Sequence, residues 1–138
     1  MAAPLVSVVI PCFNAERYVV AAVRSVLAQS VSVEVIVVDD GSSDGSVHAL
    51  RSSGLPLTLI EQPNRGVAAA RNCGVVHATG PWVAFIDADD IWLPGKLAAQ
   101  LQLLQSQPGA RMAYTAWHVW PSDEPEPAAH LLAGLQRG

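Results

Sequence analysis

Two short apolar runs each stop at a cluster of carboxylates: Val35 to Val38 runs into Asp39-Asp40-Gly41, and Trp82 to Ile86 runs into Asp87-Ala88-Asp89-Asp90. Short runs rich in Val, Ile, Phe and Trp suit parallel strands buried on both faces, where a charge has no place. Parallel strands joined by helices all point the same way. The acids are therefore expected together in the crevice at the carboxyl edge of one sheet, where open α/β folds bind ligands. Carboxylates crowded there repel one another until something positive arrives, and a divalent cation with oxygen ligands is the natural candidate.

The remaining chain repeats the pattern. Leu5 to Ile10 is a third apolar run, ending at Pro11-Cys12-Phe13-Asn14, and Leu57 to Ile60 is a fourth, ending at Glu61-Gln62-Pro63-Asn64-Arg65-Gly66. Between the first two strands Val19, Ala22, Val23, Val26 and Leu27 recur at helical spacing, with Asn14 placed to cap that helix. The loop Gly41 to Ser46 offers caps for a shorter helix through about Arg51, closed by Gly54 and Pro56. Gly66 to Ala78 reads as a third helix. Pro94 to Gln107 reads as a fourth, with Pro94 as its first residue and Leu97, Leu101 and Leu104 inward. Ala110 to Thr115 reads as a late strand. Strands and helices alternate, so the class is α/β.

With 138 residues, 51% hydrophobic and 14% charged, the chain has room for one domain with a large core. A net charge of −4, with Lys96 as the single lysine, supplies no basic field for a nucleic-acid backbone, which excludes nucleic acid as the main partner. Cys12 and Cys73 form no Cys-x-x-Cys pair, which predicts reduced thiols and a cytoplasmic setting. No run is long and apolar enough to span a bilayer, so any membrane association is expected to be peripheral, at the inner face, or through sequence outside this chain. The first strand-to-helix turn lacks Gly-x-Gly-x-x-Gly, which argues against a dehydrogenase.

The order of these motifs resembles the inverting family-2 glycosyltransferases with the GT-A fold. The likeness covers Val6 to about Tyr114. It begins with Val-Ser-Val-Val-Ile-Pro-Cys-Phe-Asn, then the helix entered by Glu16 and Tyr18 and ending Ser25-Val26-Leu27-Ala28-Gln29-Ser30, then Glu34 to Asp44. It continues through Asn64-Arg65-Gly66-Val67-Ala68-Ala69-Ala70-Arg71-Asn72-Cys73-Gly74 to a DxD element in Phe85-Ile86-Asp87-Ala88-Asp89-Asp90, followed by Trp92-Leu93-Pro94. Two acids two apart are common, but four motifs in this order at strand ends are specific.

The resemblance implies a GT-A, Rossmann-like, mostly parallel sheet flanked by helices, and transfer of a sugar from a nucleotide diphosphosugar to an acceptor hydroxyl with inversion. UDP-sugars are favoured, with GDP- or dTDP-sugars as alternatives and a glycan or lipid-linked acceptor. It further implies Asp89 as a direct ligand of Mg²⁺ or Mn²⁺ and Asp87 as a contact to the ribose or to metal-bound water. Asp40 is then the base-contacting acid and Asp39 its less certain neighbour. Arg71 is a basic contact to the nucleotide, Gly66 lets backbone amides approach it, and Pro11, Phe13 and Glu16 line the first nucleotide loop. Asp90 reads equally as a first-turn acid or as a sugar-side contact, Asp44 as a cap or turn acid, and Arg71 also as the partner of a carboxylate. The four histidines show no spacing for a metal site.

Other classes that use clustered acids fit less well. A receiver domain or an aspartate-nucleophile phosphatase should carry its acid pair after the first strand and a lysine on a later one, whereas here the pair follows the second strand and Lys96 falls on a helix. A noncatalytic nucleotide-binding module remains the main alternative. Residues 1–115 are expected to form the nucleotide-sugar-binding domain. Residues 116–138, with Pro121, Pro125 and Pro127 among Asp123, Glu124 and Glu126, read as an exposed loop and the start of an acceptor-side segment. The fold is thus expected to be truncated before the acceptor half. The general base is expected to lie outside the chain, sugar transfer to be absent, and the apolar surface so exposed to favour self-association.

Overall fold

The structure, a computed structural model, describes residues 3–115. Four strands, β1 (Val6–Cys12), β2 (Val33–Asp39), β3 (Thr58–Glu61) and β4 (Trp82–Phe85), alternate with helices α1 (Val19–Leu27), α2 (Ser46–Ser52), α3 (Val67–His77) and α4 (Lys96–Ser106). The strands form one sheet in the order β3-β2-β1-β4, and every pairing is parallel. This is the mostly parallel α/β sheet expected. The chain divides after Pro94 into two compact units; the first holds the sheet and the second begins at Gly95 and carries α4.

The strand order explains where a ligand site can form. β1 to β2 to β3 steps in one direction across the sheet, and β4 then returns to the other side of β1, so the order reverses between β1 and β4. Right-handed crossovers place α1 and α2 on one face and α3 on the other. The register agrees: Val9 pairs with Ile36, and both look toward α3. On that side Ile36, Val38 and Ala70 are buried together, with Ile60, Cys73 and Ala78 packed around them.

β1 is buried at all seven positions, which is what a central strand covered on both faces requires. Its one polar side chain is satisfied: Ser7 Oγ donates to Glu34 Oε1 at 2.6 Å and accepts from Gly80 N at 2.8 Å. Gly74 lets α3 lie directly on β1. A Cβ there would run into Val9 Cγ1 and approach Cγ2 to 2.9 Å. Gly74→Ala is therefore expected to cost about 1–3 kcal/mol through overpacking, read as a fall in Tm of about 4 °C per kcal/mol. An unchanged Tm would contradict this packing.

Several expectations need correction. Among the described residues the Leu57–Ile60 and Trp82–Ile86 runs form the edge strands of the sheet rather than strands buried on both faces, and Val83 and Phe85 are 37% and 47% exposed. Their apolar composition is matched by cover on one side only. Asn14 does not cap α1, whose N-cap position is Tyr18 with no side-chain cap bond. Asn14 instead has φ +48, and its Oδ1 accepts from Ser43 N and Asp44 N, stitching the β1–α1 loop to the β2–α2 loop. Pro94 is not the first residue of α4, because Gly95 at φ +83 intervenes and the helix begins at Lys96. Ala110 to Thr115 is irregular and mostly exposed, not a strand.

Candidate functional site

The two acid pairs end up in different chemical settings. Asp39 and Asp40 close β2 and are 3% and 4% exposed, so each must have its charge met by donors. Asp39 Oδ2 accepts from Ser42 N at 3.0 Å and Oδ1 from Ser42 Oγ at 2.6 Å. Asp40 reaches across to the loop after β3. Its Oδ1 accepts from Gln62 Nε2 at 2.9 Å and Arg65 N at 2.8 Å, and its Oδ2 accepts from Gly66 N at 2.9 Å. The Gln62 bond, then those from Arg65 and Gly66, outweigh desolvation and hold the carboxyl below its ordinary value.

Asp40 lines a cleft of about 330 Å³ together with Pro11, Cys12, Phe13, Asn64, Gly66, Val67 and Ala70. The walls come from the end of β1, the end of β2 and the entry to α3. Gly41 permits this convergence: its φ is +78, and a Cβ there would sit 2.7 Å from Asn64 N. Pro11 is buried and Phe13 is 52% exposed at the mouth. Cys12 is buried, and burial pushes its thiol up to about 11, so it offers no thiolate.

Asp87, Asp89 and Asp90 follow β4 and are exposed, with one carboxylate oxygen from each lying within 4.8 Å of the others. Both acid pairs emerge at the carboxyl edge of the sheet, as expected, but Asp39 and Asp40 do not join the close-spaced group: among the described residues it holds Asp87, Asp89 and Asp90, because β1 lies between the ends of β2 and β4. Partial desolvation first, then the charges of Asp89 and Asp87, raise the Asp90 carboxyl above its ordinary value. Three close oxygens in solvent form a donor set that suits a hard divalent cation. Arg71, on α3 one residue beyond Ala70, donates from Nη2 to Asp87 Oδ1 at 3.0 Å, and both side chains remain accessible at 40% and 55%.

Two residues play other parts in the structure. Glu16 does not line the cleft; its Oε2 accepts from Gly45 N, and its backbone N–H donates to Asp44 Oδ2. Asp44 Oδ1 accepts from the amide and hydroxyl of Ser46, a turn acid at the entry to α2. Asn64, Val67 and Ala70 line the cleft and Gln62 bonds to Asp40, roles the sequence did not single out. For Gln62 and Asn64 the signal was the polar cluster after β3, whose individual partners spacing does not reveal.

Buried or hydrogen-bonded acids make the chain acid-sensitive. In Glu34 and Asp44 desolvation is the largest influence and raises the pKa. Hydrogen bonds from Ser7, Thr79 and Gly80 in the first, and from Ser46 and Glu16 in the second, outweigh it. With Asp40, these groups lie below ordinary values of 4.5 for Glu and 3.8 for Asp. The folded chain then binds fewer protons than the unfolded one, so their stabilisation is complete above those ordinary values and is lost as pH falls through the folded values. The urea midpoint is expected to drop from about pH 5 to about pH 3; a constant or rising midpoint would contradict this.

Switch point, cleft and acid cluster together are those of an open α/β domain that takes its ligand at the carboxyl edge of the sheet. The chain belongs to glycosyltransferase family 2: the family profile, Glycosyl transferase family 2, matches residues 7–131. It is 37% identical over 87% of its length to a putative teichuronic acid biosynthesis glycosyltransferase, TuaG, of Bacillus subtilis, covering 49% of that protein. It is 38% identical over 72% of its length to WfgD of Escherichia coli, a UDP-Glc:alpha-D-GlcNAc-diphosphoundecaprenol beta-1,3-glucosyltransferase, covering 41% of it. Among solved structures it resembles the mannosyltransferase PcManGT of Pyrobaculum calidifontis, seen with GDP-Man and Mn²⁺. The TM-score is 0.69 at 34% identity, over 76% of this chain and 33% of that one. The chain spans between a fifth and a half of the length of the first curated relatives it matches. No helix among the described residues is long and apolar enough to cross a membrane.

Proposed function

We propose that this chain is the donor-binding part of an inverting, metal-assisted glycosyltransferase that takes a nucleotide diphosphosugar and acts on a glycan or lipid-linked acceptor hydroxyl. One observation carries the reading: the Asp87-Asp89-Asp90 oxygen cluster is tied through Arg71 to the same helix whose first residues line the Asp40 cleft. A base in the cleft and a diphosphate at the acids would then belong to one ligand. UDP-sugars lead, with GDP- and dTDP-sugars as alternatives; WfgD is named for UDP-Glc and PcManGT was seen with GDP-Man.

In this reading Asp40 accepts a base N–H, while Pro11 and Phe13 supply apolar contact. Gly66, at the start of α3, lets backbone amides come near the ligand. Asp89 and Asp87 would hold Mn²⁺ or Mg²⁺, with Asp90 as a third oxygen donor. When bound, that cation offsets the charge that develops on the departing diphosphate. Arg71, exposed enough to exchange its carboxylate partner, can also hold a phosphate oxygen. No role as the base that deprotonates the acceptor is proposed for any described residue. The free cysteines Cys12 and Cys73 support a cytoplasmic setting. Exposed Val83 and Phe85 on β4, with Val75 and Val76 on α3, support self-association.

Thermal protection by a panel of UDP-, GDP- and dTDP-sugars with Mn²⁺ tests the reading. At least one should raise Tm in a concentration-dependent way. Protection by none would overturn it.

A further inference from the structure

Asp40 is the one acid in the cleft wall, and its capacity to accept hydrogen bonds is nearly spent. An ionised carboxylate has about four acceptor positions, two on each oxygen. Both positions on Oδ1 are taken, by Gln62 Nε2 at 2.9 Å and Arg65 N at 2.8 Å. Gly66 N takes one on Oδ2 at 2.9 Å. A single acceptor position remains for a ligand. The Gln62 amide presents its nitrogen to the ionised Oδ1, so Gln62 consumes an acceptor position there and adds none.

Nucleobases differ on this point. The uracil edge carries one N–H flanked by two carbonyl oxygens, so a single acceptor satisfies its one donor. The guanine edge carries N1–H and N2–H side by side and needs an acceptor on each carboxylate oxygen to satisfy both. Against this Asp40, guanine would lose water from two donors and regain a partner for one.

Resting on the donor-site reading above, we propose that Gln62 is a specificity-determining residue: by filling Asp40 Oδ1 it favours a base with one N–H on its recognition edge, as uracil and thymine have, and rejects guanine. Gln62 acts here by positioning and by occupying an acceptor, not by chemistry on the sugar. Discrimination of this kind arises where a polar group is left unpaired, and a factor of about ten or more is its ordinary scale.

Calorimetric titration of the chain with UDP and with GDP in Mn²⁺, for wild type and for Gln62→Met, tests this. Methionine keeps the length of the side chain and removes the donor, freeing one position on Oδ1. Wild type is expected to bind UDP about tenfold or more tightly than GDP, and Gln62→Met to narrow that ratio several-fold, chiefly by tighter GDP binding. Equal wild-type affinities, or a ratio unmoved by Gln62→Met, would overturn the assignment. Should the variant not fold, the wild-type ratio decides alone. Binding of neither nucleotide would instead overturn the donor-site reading itself, and the selectivity with it.

Discussion

Asp89→Ala is expected to abolish metal-dependent binding of a nucleoside diphosphate while leaving the fold intact. Asp89 is exposed, and its value to the chain lies in the oxygen it contributes to the cluster with Asp87 and Asp90. Removing one of three donors leaves a hard cation with too few protein ligands, and a direct ligand should cost more than the roughly 10–100-fold that loss of an outer-shell partner costs. Surface substitutions of this kind change stability by only about 0.5 kcal/mol or less, so Tm should hardly move. Wild-type affinity for UDP with Mn²⁺ in the variant would show that the cluster is an exposed acidic loop with no part in binding.

Asp40→Asn is expected to damage both folding and binding, and Asp39→Asn much less. Asp40 accepts three N–H donors on two oxygens, and an amide must turn a donor toward Gly66 N or toward the Gln62 and Arg65 pair. Each donor so stranded in a buried setting costs about 1–3 kcal/mol. The acceptor offered to a base is lost or reoriented at the same time. Among the described residues the Asp39 carboxylate is hydrogen-bonded to Ser42, whose hydroxyl can reverse and accept from an amide while the remaining oxygen still receives Ser42 N. Urea midpoints and UDP affinities of the two variants give the comparison. Greater damage from Asp39→Asn would contradict the assignment of Asp40 to the cleft.

The parts of this molecule that were legible in the sequence are those governed by local pattern. Val6 to Ile10, Ser7 apart, and Val35 to Val38 are buried and apolar because β1 and β2 are covered on both faces, and α1 shows its stripe at Val19, Ala22, Val23 and Val26. Edge position is not local. The run Trp82 to Phe85 has the composition of a central strand, yet only its pairing with β1 shows it to be at the rim of the described sheet. Asn14 had the chemistry of a cap, but a partner 29 residues away competes for the same oxygen. The site divides in the same way. Acids at strand ends could be read directly, whereas the bonds from Gln62, Arg65 and Gly66 to Asp40 span 22 to 26 residues and exist only once β3 lies beside β2.

In the proposed reading the cleft and the acid cluster form one site for a nucleoside diphosphate held with a divalent cation. Calorimetric titration of the wild-type chain with UDP, once in Mn²⁺ and once in EDTA, addresses it most directly. Saturable binding in Mn²⁺ that weakens by about tenfold or more in EDTA is the expected result. Equal affinity under the two conditions, or no binding in either, would contradict it.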